Sequence, residues 1–187
     1  PSIDSVGTDT GISDTDKVTR DNTLDIQGQA EAGATVDVRI DGASVGTAIA
    51  DINGRWTFTT SAQADGERSI TVVQTDIAGN VSVPSSAYVV KIDTQVAAPT
   101  IDSVGTDSGV VGDRITNDST LEIRGTAEAG ATVEVRIDGL LVGTVVADGS
   151  GNWLLNTASL SDGNKSITAI QRDVAGNVSS ASPPYTM

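Results

Sequence analysis

The stretch A-E-A-G-A-T-V-D-V-R-I-D-G, residues 30–42, alternates apolar and polar side chains from Val36 to Ile40 and then breaks on Asp41-Gly42. A period of two puts Val36, Val38 and Ile40 on one face of a strand and Asp37 and Arg39 on the other. Asp-Gly is a dipeptide of tight hairpins. The whole block returns as A-E-A-G-A-T-V-E-V-R-I-D-G at residues 127–139, so whatever this strand and turn build, the chain builds twice.

Working outward, the other blocks repeat in the same order. P-S-I-D-S-V-G-T-D-T-G from Pro1 returns from Pro99 as P-T-I-D-S-V-G-T-D-S-G, and D-I-A-G-N-V-S from Asp76 returns from Asp173 as D-V-A-G-N-V-S. Trp56 matches Trp153, 97 positions on, whereas the N-terminal blocks stand 98 apart. The second copy has therefore lost one residue between Gly11 and Val18, which marks that stretch as a loop. Such a period is far longer than the roughly 20–50 residues of a solenoid repeat. It matches a self-contained sandwich domain of about 100 residues. The copies are placed at residues 1–94 and 95–187, joined through T-Q-V-A-A-P at 94–99.

Within the first copy, Leu24 and Ile26 point inward, Ile70 and Val72 share a face, and turns fall at Asp41-Gly42, Asn53-Gly54 and Asp65-Gly66. Strands are predicted to begin near Ser2, Thr23, Thr35, Ser44, Arg55, Arg68 and Val81. No segment longer than about ten residues shows helical periodicity. The predicted fold is all-β: two tandem seven-stranded immunoglobulin-like β-sandwiches. With 37% hydrophobic and 3% aromatic residues and no Cys, each core is thin and has no disulfide. Trp56 and Trp153 are expected to fill its centre.

The chain carries 25 acidic residues against 11 basic ones, a formal net charge of −14. Such a polyanion repels phosphate, which argues against nucleic acid and anionic membrane surfaces as partners. No apolar run approaches the roughly 20 residues needed to span a bilayer. There is no His, the commonest general base and transition-metal ligand. The remaining sharp reading of the acid is a hard cation held by oxygen ligands; the bland one is solubility.

Antiparallel connectivity sorts the acids by domain end. The A–B loop receives Asp9, Asp14, Asp16 and Asp21 in the first copy and Asp107, Asp113 and Asp118 in the second. Four carboxylates in one short loop repel each other unless water or a cation screens them. Asp14-Thr15-Asp16 is not an EF-hand start, because Val18 and Thr19 stand where that loop needs a ligand and a glycine. The opposite end gathers the B–C, D–E and F–G turns. There the second copy places Glu128, Asp148, Asp173 and Asn177, and the linker is expected to add Asp93, making an interdomain calcium cage. Glu31, Asp51 and Asp76 are the first copy's equivalents. A solvated acidic loop and ordinary Asp turn chemistry remain the alternatives at the two ends. Asp37 and Glu134, beside Arg39 and Arg136, read as a solvated face.

Taken together, G-Q-A-E-A-G-A-T-V at Gly28, V-G-T-A-I-A-D-I-N-G-R-W at Val45, A-D-G at Ala64, D-I-A-G-N-V-S at Asp76 and I-D-T at Ile92 carry a resemblance. The chain resembles the bacterial immunoglobulin-like repeats of giant type I-secreted adhesins, of the biofilm-associated protein and Salmonella giant non-fimbrial adhesin type. The resemblance implies calcium (Ca2+) bound at Asp93, Asp173 and the A–B acids. It also implies secretion to the bacterial cell surface, neighbouring repeats of the same type as partners, and a distal tip that meets a host-cell or surface ligand. Gly112 departs from the pattern by replacing an acid-rich stretch, so the second A–B loop is expected to bind calcium weakly or not at all.

Three function classes compete. The first is a calcium-rigidified extender supporting adhesion or biofilm formation, expected to be monomeric and a segment of a longer protein. The second is a module that itself binds a host glycan or receptor, against which stands the scarcity of aromatic rings. The third is an enzyme, against which stand the absence of a His base and the placement of the paired acids in repeated loops.

Overall fold

The computed structural model describes residues 1–105, 107–110 and 112–187. All of its regular structure is strand, and the chain divides into two compact units, Pro1–Thr94 and Gln95–Met187.

In the first unit, β1 (Ser2–Val6), β3 (Asp25–Gln29) and β6 (Arg55–Thr59) form a three-stranded antiparallel sheet in the order β1-β3-β6. The facing sheet has five strands in the order β2-β8-β7-β4-β5: β2 (Val18–Thr19), β4 (Thr35–Ile40), β5 (Ala43–Ile49), β7 (Gly66–Thr75) and β8 (Tyr88–Ile92). The two-residue β2 pairs parallel with β8, Val18 opposite Lys91. In the second unit, β9 (Ser103–Val104), β10 (Glu122–Thr126) and β13 (Asn152–Asn156) make one sheet. The other is β12-β11-β14-β15, from β11 (Thr132–Ile137), β12 (Leu140–Val146), β14 (Ser166–Arg172) and β15 (Tyr185–Thr186). Two facing sheets in each unit, antiparallel but for the β2–β8 pair, make the immunoglobulin-like sandwich the repeat length called for; β2 brings the first unit to eight strands where seven were expected, and the second has seven among the described residues.

The alternation that decided the fold is kept. Val36, Val38 and Ile40 are buried, as are their counterparts Val133, Val135 and Ile137. The Asp41-Gly42 turn has φ of 52° and 83°, and Asp138-Gly139 repeats it at 52° and 82°, which is the positive-φ pair a two-residue hairpin requires. Leu24, Ile26, Ile70 and Val72 meet in one core around Trp56; Leu121, Ile123, Ile167 and Ala169 surround Trp153 in the other. Each indole lies over a glycine of the neighbouring strand. A Cβ built on Gly28 would stand 2.7 Å from the Trp56 ring and 2.0 Å from the Ser2 carbonyl oxygen, so only glycine lets the strands approach.

One strand lies elsewhere than the sequence predicts. The seventh strand of the first copy runs from Tyr88 to Ile92, and Val81 makes only an isolated bridge to Thr75. Between them Ser82 and Ser85 exchange hydrogen bonds with β7 every third residue. The Gln74 and Val72 amides donate to the two hydroxyls at 3.1 Å, and the Ser82 and Ser85 amides donate to the Gln74 and Val72 carbonyls. A spacing of three is not a strand ladder, and it leaves Val81 and Val83 exposed.

Candidate functional site

The A–B loop of the first unit is built on hydroxyls and carboxylates. Thr19, 2% exposed, donates its hydroxyl to the Thr8 carbonyl at 2.8 Å and accepts the Asp21 amide at 3.0 Å. Asp9 reaches across the loop: its Oδ2 accepts the Lys17 amide at 2.9 Å, and Lys17, held at φ 61°, lays its ammonium 4.3 Å from the Tyr88 ring centre. Asp16 accepts the Val18 amide at 3.0 Å, and Asp21 accepts both the amide and hydroxyl of Thr23 at 3.0 Å. Asp14 is exposed.

The second A–B loop follows the same plan with other partners. Asp107 accepts the Gly112 amide, Asp113 the Ile115 amide at 2.9 Å, and Asp118 the amide and hydroxyl of Thr120 at 2.9 and 2.8 Å. Arg114 replaces Lys17 over the ring, 4.5 Å from the centre of Tyr185. The hydrogen bonds from Thr120 hold the Asp118 carboxyl below the usual carboxylate range.

Asp9 and Asp107 share one further property. In each, the second carboxylate oxygen, Oδ1, is buried and has no hydrogen-bond partner among the described residues. A buried carboxylate oxygen without a donor is costly, and its appearance at the same position in both units calls for a physical cause.

At the opposite end of each unit three turns come together. The Ala30 amide donates to the Gly54 carbonyl at 2.8 Å and the Gly33 amide to the Ala50 carbonyl at 3.0 Å; the Glu31 amide donates to Gln74 Oε1 at 3.1 Å. In the second unit Glu128 and Gln171 repeat the last bond at 2.8 Å. Asp51 and Asp148 each fold a D–E turn. Asp51 Oδ1 accepts the Asn53 and Arg55 amides at 2.7 and 2.9 Å, and Asp148 Oδ1 accepts those of Ser150 and Asn152 at 2.8 and 2.9 Å. Asp76 and Asp173 close the F–G turns. Asp76 accepts the Asn80 amide at 2.8 Å and its side-chain NH2 at 2.7 Å, and Asp173 takes the same two donors from Asn177, both at 2.8 Å. The Asn80 bonds lower the Asp76 pKa, and those from Asn152 and Ser150 lower that of Asp148. Asp173 is 1% exposed.

Thus Glu31, Asp51 and Asp76 lie on three neighbouring turns, as do Glu128, Asp148 and Asp173 with Asn177. Asp93 stands one residue before the end of the first unit, its amide bonded to the Thr19 carbonyl at 2.8 Å and its carboxylate 3.9 Å from Lys91 Nζ. Among the described residues no three His, Cys, Asp or Glu side chains converge as a ready metal-binding group. On the outer face Asp37 pairs with Arg39 at 2.8 Å and Glu134 with Arg136 at 3.3 Å. Burial opposes the charge on Asp37, but the Ser44 hydroxyl and Arg39 outweigh it and hold its pKa down. The sequence reading passed over Gln74 and Gln171. Their signal was there: each stands two residues before the repeated Asp of the D-x-A-G-N turn.

The two Trp rings are buried, and Phe58, Tyr88 and Tyr185 are half-buried. Phe58 packs against Gly46, and Tyr88 and Tyr185 lie under Lys17 and Arg114. No helix among the described residues is long and apolar enough to cross a membrane.

Comparison with known proteins gives one sequence family. The model described as "Bacterial Ig-like domain" matches twice, over residues 1–94 and 95–187. No curated protein sequence matches. Solved structures of similar fold include a biofilm-associated protein BSP domain, at 20% identity and TM-score 0.38, with 91% of this chain and 28% of that one covered. They also include a Ca2+-stabilized adhesin of an Antarctic bacterium that binds ice, at 25% identity and TM-score 0.47, with 97% and 46% covered. A C-terminal intimin fragment in complex with the intimin-binding domain of its translocated receptor aligns at 16% identity and TM-score 0.45, with 100% and 64% covered. The chain spans about a quarter to two thirds of the length of these three.

Proposed function

The chain belongs to the bacterial Ig-like domain family, and from that premise we propose that it is a non-enzymatic pair of extender repeats from a bacterial surface adhesin. In this reading it supports cell adhesion or biofilm formation, and calcium stiffens it. The observation that carries the reading is the duplication of one complete sandwich whose Trp is buried in its core. Sugar sites stack ligands on exposed rings, whereas here both Trp are buried and both Tyr rings are covered by a cation. What each unit offers is length. The ten residues of β7 alone extend about 33 Å, and units in series carry a distal tip outward.

Calcium enters through the A–B loops. The buried, donor-less Oδ1 atoms of Asp9 and Asp107 have the chemistry of a hard-cation ligand, since calcium accepts oxygens in irregular geometry. Because the carboxylates of the described residues do not converge in threes, an ion there completes its shell with hydroxyls, main-chain carbonyls and water. Asp14, Asp16, Asp21, Asp113 and Asp118 supply the surrounding negative charge. At the turn end, Asp93 with Glu128, Asp148, Asp173 and Asn177 is the candidate junction set, and Glu31, Asp51 and Asp76 are its counterpart. Bound calcium stabilises the folded units by about 2.7 kcal/mol when its level is 100 times its Kd.

The extender reading is tested by displaying one, two and four copies of this pair beneath a binding tip on a bacterial surface. Adhesion that rises with repeat number, with no binding of the isolated pair to a glycan or host-cell panel, is the expected result. Specific binding by the isolated pair would replace the extender with a receptor-binding module.

A further inference from the structure

In the second unit, Glu128 and Gln171 hold a third residue between them. The Gln171 side-chain amide donates to the Ala97 carbonyl at 2.7 Å, and the Ala97 amide donates to Glu128 Oε1 at 3.1 Å. The Glu128 amide donates in turn to Gln171 Oε1 at 2.8 Å. The three bonds close a ring. Gln171 uses both ends of its amide, oxygen toward the B–C turn and nitrogen toward Ala97, and Glu128 uses its main-chain donor and its carboxylate acceptor. Only the main chain of Ala97 is gripped; its side chain is exposed. The ring is therefore a clamp for extended backbone, indifferent to the side chain it receives, and it fixes the line on which the chain enters the repeat two residues before Pro99.

The first unit carries the same pair. Gln74 makes the inward bond, Oε1 to the Glu31 amide at 3.1 Å, while Glu31 is exposed and Gln74 half-buried. The entering chain follows the same path in both units. A Cβ built on Gly28 would meet the Ser2 carbonyl oxygen at 2.0 Å, and one on Gly125 would meet the Thr100 carbonyl oxygen at 2.0 Å. Pro1 and Pro99 head the corresponding blocks.

We propose that Glu31 and Gln74 form an interaction site for extended backbone, whose occupant is an inter-repeat segment of the Gln95–Pro99 kind running into Pro1 when another repeat precedes it. The clamp sets the entry direction of each repeat through main-chain hydrogen bonds. It rests on the tandem-repeat reading and not on calcium.

The test adds a copy of Thr94–Ala98 ahead of Pro1 of the full chain and follows amide hydrogen exchange by NMR, with EDTA and with calcium. The amides of Ala97 and of the corresponding added alanine are expected to exchange at least about tenfold more slowly than an unstructured amide in both conditions. In Gln74→Glu, which puts an acceptor where the carbonyl needs a donor, the added alanine should lose that protection while Ala97 keeps it. In Glu128→Ala the reverse should hold. The buried amides of Leu24 and Leu121 report that each variant is folded, and Gln74→Leu replaces Gln74→Glu if they do not stay slow. Unprotected exchange at the added alanine beside a protected Ala97 would overturn the proposal. So would unprotected exchange at both, or protection that appears only with calcium.

Discussion

The Thr60 hydroxyl accepts the Leu24 amide hydrogen at 2.9 Å, and Thr157 does the same for Leu121 at the same distance. The bond joins strand ends 36 residues apart and lies inside the core, with Thr60 4% exposed and Leu24 fully buried. Thr60→Val keeps the volume and removes the acceptor, leaving a buried N–H without a partner. A loss of about 1–3 kcal/mol is expected by denaturant unfolding, with Thr60→Ser recovering most of it. Equal stability of Thr60→Val and wild type would show that the amide finds another acceptor.

Two glycine substitutions should separate close approach from conformational freedom. Gly28→Ala drives a Cβ into the Ser2 carbonyl and the Trp56 ring, so it should cost about 3 kcal/mol or more. Nothing lies within 4 Å of a Cβ on Gly149, whose φ is ordinary. Gly149→Ala should be neutral or stabilising by about 0.5 kcal/mol through the unfolded state. Thermal melts of both variants decide; similar penalties would contradict the tight Gly28 contact.

Three turn carboxylates link stability to pH. Asp76, Asp118 and Asp148 titrate below the ordinary Asp value because amides and side-chain donors hold the charged form. A depressed folded-state pKa contributes stability that is present above the unfolded value of about 3.9 and is lost as pH falls through the folded one. Carboxyl NMR titration should place all three midpoints below that of a free Asp, and Asn80→Ala should return Asp76 toward it. In Asp76→Asn the melting temperature should depend less steeply on pH below about 4 than in wild type. An unmoved Asp76 midpoint in Asn80→Ala would show that Asn80 is not the cause.

Asp9 and Asp107 present the same buried Oδ1 atom, so both loops should respond to calcium, against the expectation that Gly112 weakens the second. If a cation meets their buried Oδ1 atoms, Asp9→Asn and Asp107→Asn should each lower the calcium-induced rise in melting temperature while changing the melt in EDTA much less. A larger loss in EDTA than in calcium would assign both side chains to loop structure alone, through the Lys17 and Gly112 amides.

The strands were legible because period two and Asp-Gly turns act over a few residues. Val36, Val38 and Ile40 point inward for the reason their spacing gave, and the Trp residues fill the cores for want of other large side chains. The seventh strand was misplaced because V-S-V at 81–83 alternates like a strand, whereas its serines bind β7 with a spacing of three. The site was legible only in part. Asp51, Asp76, Asp148 and Asp173 stand on the turns to which connectivity sends them, and what each accepts follows from local turn chemistry. The Glu128–Gln171–Ala97 ring was not, since its members are 31 to 74 positions apart and none is unusual alone. Nor does sequence distinguish the two oxygens of Asp9, of which one meets an amide and the other has no hydrogen-bond partner among the described residues.

The most direct test of calcium stiffening is calorimetric titration of the full chain with calcium, paired with melting curves, on wild type and Asp93→Ala. The account predicts saturable binding and a higher melting point in millimolar calcium, with a smaller heat and a smaller rise in the variant. A flat titration and an unchanged melting point in wild type would contradict it.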